Sequence, residues 1–222
     1  MGDLAVSVLV PSRRRTGLLG KTVTSLAVTA ADPAGVEVLV AADPGDTQTQ
    51  EFRPAPGLAV RVLTAPQRWG RGSVHEYYNW LAPQARGMWL LVWNDDAVME
   101  TGGWDQVIAA LEPGAVPVAS NHGDHMFIAV PAVWAKAAGF LSPTPDVDNF
   151  LYTAGERLGC VHRAPLRAFH DVHYITGRNG DETYWEGRAD QDRVDRAGWD
   201  VLFGDGEQAM AHMCAAIRGL PA

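Results

Sequence analysis

The apolar positions of the chain fall into short continuous runs separated by segments of helical periodicity, and polar turn residues punctuate the two. Leu4 to Val10 is a continuous apolar run that stops at Pro11, and its length and β-branched content predict a buried strand of a parallel sheet. Leu19, Val23, Leu26 and Ala30 then repeat at helical spacing until Asp32-Pro33 and Gly35. Val36 to Ala42 predicts a second strand, ending at Asp43-Pro44-Gly45-Asp46, and Leu58 to Ala65 a third, ending at Pro66. Val74, Tyr77 or Tyr78, Leu81 and Ala85 mark the next helix, and Met88 to Trp93 the fourth strand.

The second half is less regular. Trp104, Val107, Ile108 and Leu111 form one helical stripe, stopped by Pro113-Gly114. Val116 to Ala119 and Met126 to Val130 read as two short strands joined by the polar turn 120–125, a hairpin pattern. Pro131 to Ala138 predicts a short helix with proline in its first turn and Gly139 beyond its end. Val147, Phe150, Leu151, Ala154 and Leu158 predict a helix that finishes at Gly159. From Arg163 the chain is richer in charge and histidine, and a last amphipathic helix carries Ala209, Met213, Ile217 and Leu220. No repeat and no low-complexity linker interrupts the pattern.

Alternating strands and helices imply right-handed crossovers and a mostly parallel central sheet flanked by helices, an α/β fold. In such sheets ligands sit beyond the carboxyl ends of the strands, where strand order reverses. The residues just after the four strands are Ser12 to Arg15, Asp43, Gln67-Arg68 and Asn94 to Asp96, so polar groups from distant parts of the chain should meet at one edge. Adjacent carboxylates at Asp95 and Asp96 repel each other and lose hydration beside a buried strand. Turn amides, solvent or a cation must compensate them. Hard divalent cations, Mg²⁺ or Mn²⁺, take such oxygen ligands and commonly bridge them to substrate phosphates.

Composition narrows the partners. At 222 residues with a formal net charge of −8, the composition argues against a protein that grips nucleic acid through a broad basic face. Its two cysteines, Cys160 and Cys214, have no metal-ligand spacing and suit a reducing cytoplasm as thiols. The N-terminal apolar segment is far shorter than a membrane span and precedes its positive charges, which predicts neither a signal peptide nor a transmembrane segment, and a cytoplasmic protein. A dinucleotide-binding Gly-x-Gly-x-x-Gly is absent after the first strand, as is the glycine-rich basic loop of a nucleotidyltransferase. A non-catalytic nucleotide-sugar or carbohydrate-binding protein could keep the aromatic residues, but would have no use for Asp95, Asp96 and Asp148 together.

The segments VSVLVPSRRR, VEVLVAADPGD and LLVWNDDAVMETGGWD together resemble the nucleotide-sugar half of GT-A-fold glycosyltransferases related to family 2, over roughly residues 4 to 160. The resemblance implies a Rossmann-like GT-A fold in one domain, residues 1–100 forming the nucleotide-sugar-binding half and 101–222 the acceptor-side half with a C-terminal extension. It implies that Pro11, Ser12, Arg13 and Asp43 hold the nucleoside of a nucleotide-diphosphate sugar donor. The Asp-x-Asp position falls on Asn94, Asp95 and Asp96, with Asp96 the direct ligand of Mn²⁺ or Mg²⁺; Asn94 replaces the family's first Asp. PDVDNFLYTAGERLG resembles the acceptor-side segment, which places the catalytic base at Asp148, with Asp146 as the alternative. FHDVHYITGRNGDETY is similar to a segment whose histidine completes the metal shell, giving His173 as the candidate and His170 as the alternative.

Under that resemblance the cation, assisted by Arg13 or Arg71, stabilises the departing diphosphate, and Asp148 takes the acceptor hydroxyl's proton as the bond to the sugar forms, inverting the anomeric centre. Arg68, Trp69 and Arg71 lie in or beside the loop RWGRG, whose glycines permit close backbone approach, and Trp69 could shelve sugar or base. Trp93 reads as core. Asn79 matches a polar position that faces the nucleotide in the family. The acceptor, whether a glycan, a lipid-linked sugar, a protein or a modified nucleobase in DNA, is shaped by loops that a single sequence does not decode.

Overall fold

The computed structural model describes residues 4–54, 56–123, 126–189 and 205–221. Four strands, β1 (Val6–Ser12), β2 (Val36–Ala42), β3 (Ala59–Thr64) and β4 (Trp89–Val92), pair in parallel in the order β3-β2-β1-β4. These are the four predicted strands: β2 matches its apolar run, β3 and β4 are shorter than theirs, and β1 starts at Val6 rather than Leu4 and continues past Val10 through Pro11 to Ser12, which pair with Ala41 and Ala42. Beyond β4 the sheet turns mixed. Strands β6 (Val116–Ser120) and β7 (Met126–Pro131) form the expected antiparallel hairpin, and β7 joins the sheet antiparallel to β4. Strands β5 (Ala97–Met99) and β8 (Arg167–His170), neither visible in the periodicity, complete the order β3-β2-β1-β4-β7-β6-β8-β5.

Side-chain alternation explains why the sheet is covered on both faces. Val8, Val38 and Leu91 point to one side, where α1 (Thr16–Thr29) and α4 (Trp104–Ala109) lie with Leu19, Leu26 and Trp104. Leu9, Leu39 and Leu90 point to the other, against α3 (Val74–Leu81), α5 (Ala132–Ala138) and α6 (Val147–Leu158). The short helices α2 (Thr47–Gln50), α7 (His173–Thr176) and α8 (Glu182–Ala189) sit on connections, and the last helix α9 (Asp205–Arg218) packs on α5 and α6 through Met210 and Met213. Pro131 caps α5 rather than opening it, and α9 stops before Leu220. No helix among the described residues is long and apolar enough to cross a membrane.

Candidate active site

Strand order reverses between β1 and β4, and the ends of those two strands are tied together there. Ser12 Oγ donates to Asp95 Oδ2 at 2.7 Å. Thr22 Oγ1, on α1, donates to the carbonyls of Asp95 and Ala97 at 2.9 and 2.8 Å, while the Asp171 amide donates to the Asp96 carbonyl at 2.8 Å. The backbone of the turn is thus fixed from outside, and both carboxylates line a cleft of about 740 Å³.

Side chains do most of the compensating. Arg15 Nη1 lies 3.3 Å from Asp95 Oδ1 and 3.2 Å from Asp96 Oδ2, and His170 Nε2 lies 3.0 Å from Asp96 Oδ1. Compensation is unequal across the pair. Burial and the Asp96 charge push the Asp95 carboxyl up to about 7, against the pull of Arg15 and Ser12. Burial works against the Asp96 charge too, but its bond to His170 and the Arg15 charge outweigh it and hold Asp96 below the ordinary carboxylate value.

Beyond the end of β1, Arg14 adopts a left-handed backbone (φ 53°), and its amide is held by Asp46 Oδ2 at 2.8 Å and Thr49 Oγ1 at 3.1 Å. That kink splays the three consecutive arginines. Arg13 turns to Asp43, its Nε 3.4 Å from Oδ2, with Arg68 Nε at 3.7 Å from the same oxygen. Tyr77 donates its hydroxyl proton to Asp43 Oδ1 and accepts the amides of Trp69 and Gly70 at 3.1 and 3.2 Å, so one ring fixes both the acid and the RWGRG loop. Burial and the Asp43 bond push the Tyr77 hydroxyl up to about 12. Helix α8 closes this side: Glu186 pairs with Arg13 and, at 2.6 Å, with Arg68. Gly187 packs where a Cβ would meet Arg71 Cδ at 2.5 Å.

Across the cleft, Asp148 stands in the first turn of α6 without capping it. Its Oδ1 accepts the Phe127 amide at 3.0 Å, and the Ile128 amide also donates to it. Phe127 holds a left-handed backbone (φ 62°) that a bulky residue rarely adopts, beside the register shift between Pro117 and Val118 that bends the β6-β7 hairpin. Burial, then the neighbouring Asp146, raise the Asp148 carboxyl to about 7. Asp146 bonds Asn149 Nδ2 through both oxygens, at 3.0 and 2.9 Å, and also lines the cleft.

Pro11, Ser12, Arg13, Asp43, Arg68, Arg71, Asn94, Asp95, Asp96, Asp146 and Asp148 therefore meet at one cleft. Three of the residues singled out from the sequence do not line it. Asn79 spends its amide on the chain beyond α5: Oδ1 accepts the Leu141 and Ser142 amides at 2.7 and 3.0 Å, and Nδ2 donates to the Ser142 carbonyl at 2.7 Å. Trp69 packs edge-on against Tyr77, centroids 4.9 Å apart, and joins the core. His173 bonds the Arg178 carbonyl through Nδ1 at 2.8 Å and packs on Tyr184 and Trp185. The alternative histidine, His170, is the one beside Asp96, its backbone clamped by Asn121 at 2.6 and 3.2 Å. Trp93 is fully buried against Phe127, as its apolar setting predicts. Arg15 falls within the strand-end cluster Ser12 to Arg15, but its pairing with the acids is not legible locally, since its partners lie some eighty to 166 positions away.

The donor set suits a hard cation. Asp95 Oδ1 and Asp96 Oδ2 converge on one positively charged nitrogen, with an imidazole on the other Asp96 oxygen. No group of three or more His, Cys, Asp or Glu side chains among the described residues forms a ready shell. A cation held here would draw its remaining ligands from substrate phosphate and water, as Mg²⁺ commonly does.

Comparison with solved structures bears on the fold. The mannosyltransferase PcManGT from Pyrobaculum calidifontis, solved with GDP-Man and Mn²⁺, superposes with a TM-score of 0.59 at 14% identity, over 100% of this chain and 77% of that one. TarS 1-349 from S. aureus with UDP-GlcNAc gives 0.57 at 16% identity, over 96% and 72%. Against the longer S. aureus TarS chain the TM-score is 0.57 at 14% identity, and this chain, covered over 92%, spans 45% of that length. No curated protein sequence matches the chain. The family model described as "Glycosyltransferase like family 2" matches residues 4–144. With that match running through β1, β4 and the Asn94-Asp95-Asp96 turn, the chain belongs to the family-2-like glycosyltransferases.

Proposed function

We propose that residues 1–222 form one GT-A domain that transfers a sugar from a nucleotide-diphosphate donor to an acceptor hydroxyl, with inversion and with the help of Mn²⁺ or Mg²⁺. The observation that carries the reading is the Ser12–Asp95 bond at the strand-order reversal, which draws the two ends of the donor-side sheet and the acid pair into the cleft that Asp148 faces from the other wall. Residues 1–100 make the donor half and 101–222 the acceptor half. Asp43, backed by Tyr77, accepts hydrogen bonds from the nucleoside, while Arg13, Arg68 and Arg71 take the diphosphate charge. Asp96, with Asp95 and His170, would hold the cation, whose charge would offset the charge that builds on the departing diphosphate.

Asp148 is the base. A carboxylate near 7 is a stronger proton acceptor than an ordinary one, yet still weak towards an alcohol, so it accepts the proton only as the sugar bond forms and the hydroxyl acidifies. The Phe127 and Ile128 amides hold it to the wall, where attack comes from the side opposite the donor phosphates. Work in the cytoplasm fits the two unpaired thiols, Cys160 and Cys214.

GDP-mannose and UDP-GlcNAc, the ligands of the similar structures, head the donor panel. Hydrolysis and transfer are measured for a set of sugar nucleotides with Mn²⁺, with Mg²⁺ and with chelator. Turnover of at least one donor, lost on chelation, is the expected result; no binding or turnover of any donor under any condition overturns the reading.

A further inference from the structure

The guanidinium of Arg15 is shared between two sets of acids. Its Nη1 sits between Asp95 Oδ1 and Asp96 Oδ2, at 3.3 and 3.2 Å, deep in the cleft. Its other edge is bidentate on Asp181, just before α8: Nε donates to Oδ2 at 2.8 Å and Nη2 to Oδ1 at 2.9 Å, with Nη2 also 3.4 Å from the Asn179 carbonyl. The Arg15 and Asp95 side chains are each 9% exposed, whereas Asp181 is 39% exposed at the rim. The shorter bonds are therefore on the outer acid and the longer ones on the inner pair.

We propose that Arg15 is the resident counter-cation of the acid pair, a positioning residue that a divalent cation must displace from Asp95 and Asp96, and that Asp181 keeps the guanidinium when it yields. The inference rests on the cation role given to Asp96 above. Two positive centres cannot share the same two oxygens without strong repulsion in so buried a place. Without a cation, the guanidinium keeps two adjacent buried carboxylates from facing each other uncompensated. Because the guanidinium is rigid and planar, Nη1 leaves only if the whole group swings outward, and its bidentate partner Asp181, 39% exposed at the rim, can move with it and keep both bonds. Donor-side charge and cation loading are thereby linked to the segment that carries α8.

Mn²⁺ binding to the full chain, read from the loss of the free-ion electron paramagnetic resonance signal with and without UDP or GDP, tests this. Arg15→Gln is expected to bind Mn²⁺ at least about tenfold tighter than wild type, since a positive charge has left the acid pair. Arg15→Lys, which keeps the charge, is expected to stay within about threefold of wild type. Asp181→Asn, which removes the outer acid, is expected to bind more weakly, by roughly threefold or more. Structural damage would move Arg15→Gln and Asp181→Asn the same way, whereas displacement moves them apart. Unchanged or weaker binding by a folded Arg15→Gln overturns the proposal. If that variant does not fold, unchanged or tighter binding by Asp181→Asn overturns it. Absence of Mn²⁺ binding in every chain, with or without nucleotide, overturns the cation reading itself and this inference with it.

Discussion

Replacing Asp148 by asparagine keeps the size of the side chain and an oxygen for the Phe127 amide, but removes the carboxylate proposed as the base. General-base catalysis contributes about 10²- to 10⁴-fold, so transfer should fall by at least about a hundredfold while donor affinity holds within about twofold. The raised value of the carboxyl adds a second signature. With a carboxyl near 7, about a tenth is ionised at pH 6 and about nine tenths at pH 8, so the wild-type rate should climb roughly tenfold across that interval. In Asp148→Asn that limb should vanish from the residual rate. The assay is initial transfer velocity from pH 5.5 to 9 at saturating donor, with calorimetric donor binding at each end. A variant that keeps more than a tenth of the rate, or the same pH limb, refutes the assignment of the base.

The same carboxyl gives a stability prediction. Its folded value is raised, so the folded state binds the proton more tightly than the unfolded chain; that contribution is full below about pH 4 and is lost as pH rises through about 7. Asp148→Asn should therefore melt higher than wild type at pH 8, by about 2–4 °C for each kcal/mol relieved, with the gap closing near pH 4. Asp146→Asn removes a negative neighbour and should shift the wild-type rate limb to lower pH, measured by the same profile. Asn79→Ala breaks three hydrogen bonds to the Leu141–Ser142 backbone and should lower stability by about 1–3 kcal/mol in denaturant titration, leaving donor affinity unchanged. Ser12→Ala strips a partner from the buried Asp95 carboxylate and should weaken donor binding in the presence of Mn²⁺, read by calorimetry.

Much of the first hundred residues is legible because the strands there are buried on both faces. The apolar runs Leu4–Val10, Val36–Ala42 and Met88–Trp93 can be little else than the strands β1, β2 and β4, and each is followed by polar residues that meet in the cleft. The hairpin of β6 and β7 and the helix ending at Gly159 are likewise local patterns, the latter closed by a glycine at φ 69° that starts no further turn of helix. Strands β5 and β8 are three and four residues long and exist by pairing with each other and, for β8, with β6, which no periodicity announces. Choosing among similar side chains also fails locally. His170 and His173 are three apart, yet one ends a strand beside Asp96 and the other opens a turn facing Tyr184. Arg15 follows two arginines of identical chemistry, and only the left-handed Arg14 sends it inward to the acids.

A crystal of the protein grown with Mn²⁺ and a turned-over sugar nucleotide, measured for anomalous scattering at the manganese edge, bears most directly on the central claim. The account predicts a strong peak against the Asp96 carboxylate, with the diphosphate on its other side and within reach of Arg13. A nucleotide bound with no peak there, or a peak elsewhere while Asp95 and Asp96 remain held by Ser12, Arg15 and His170, would contradict it.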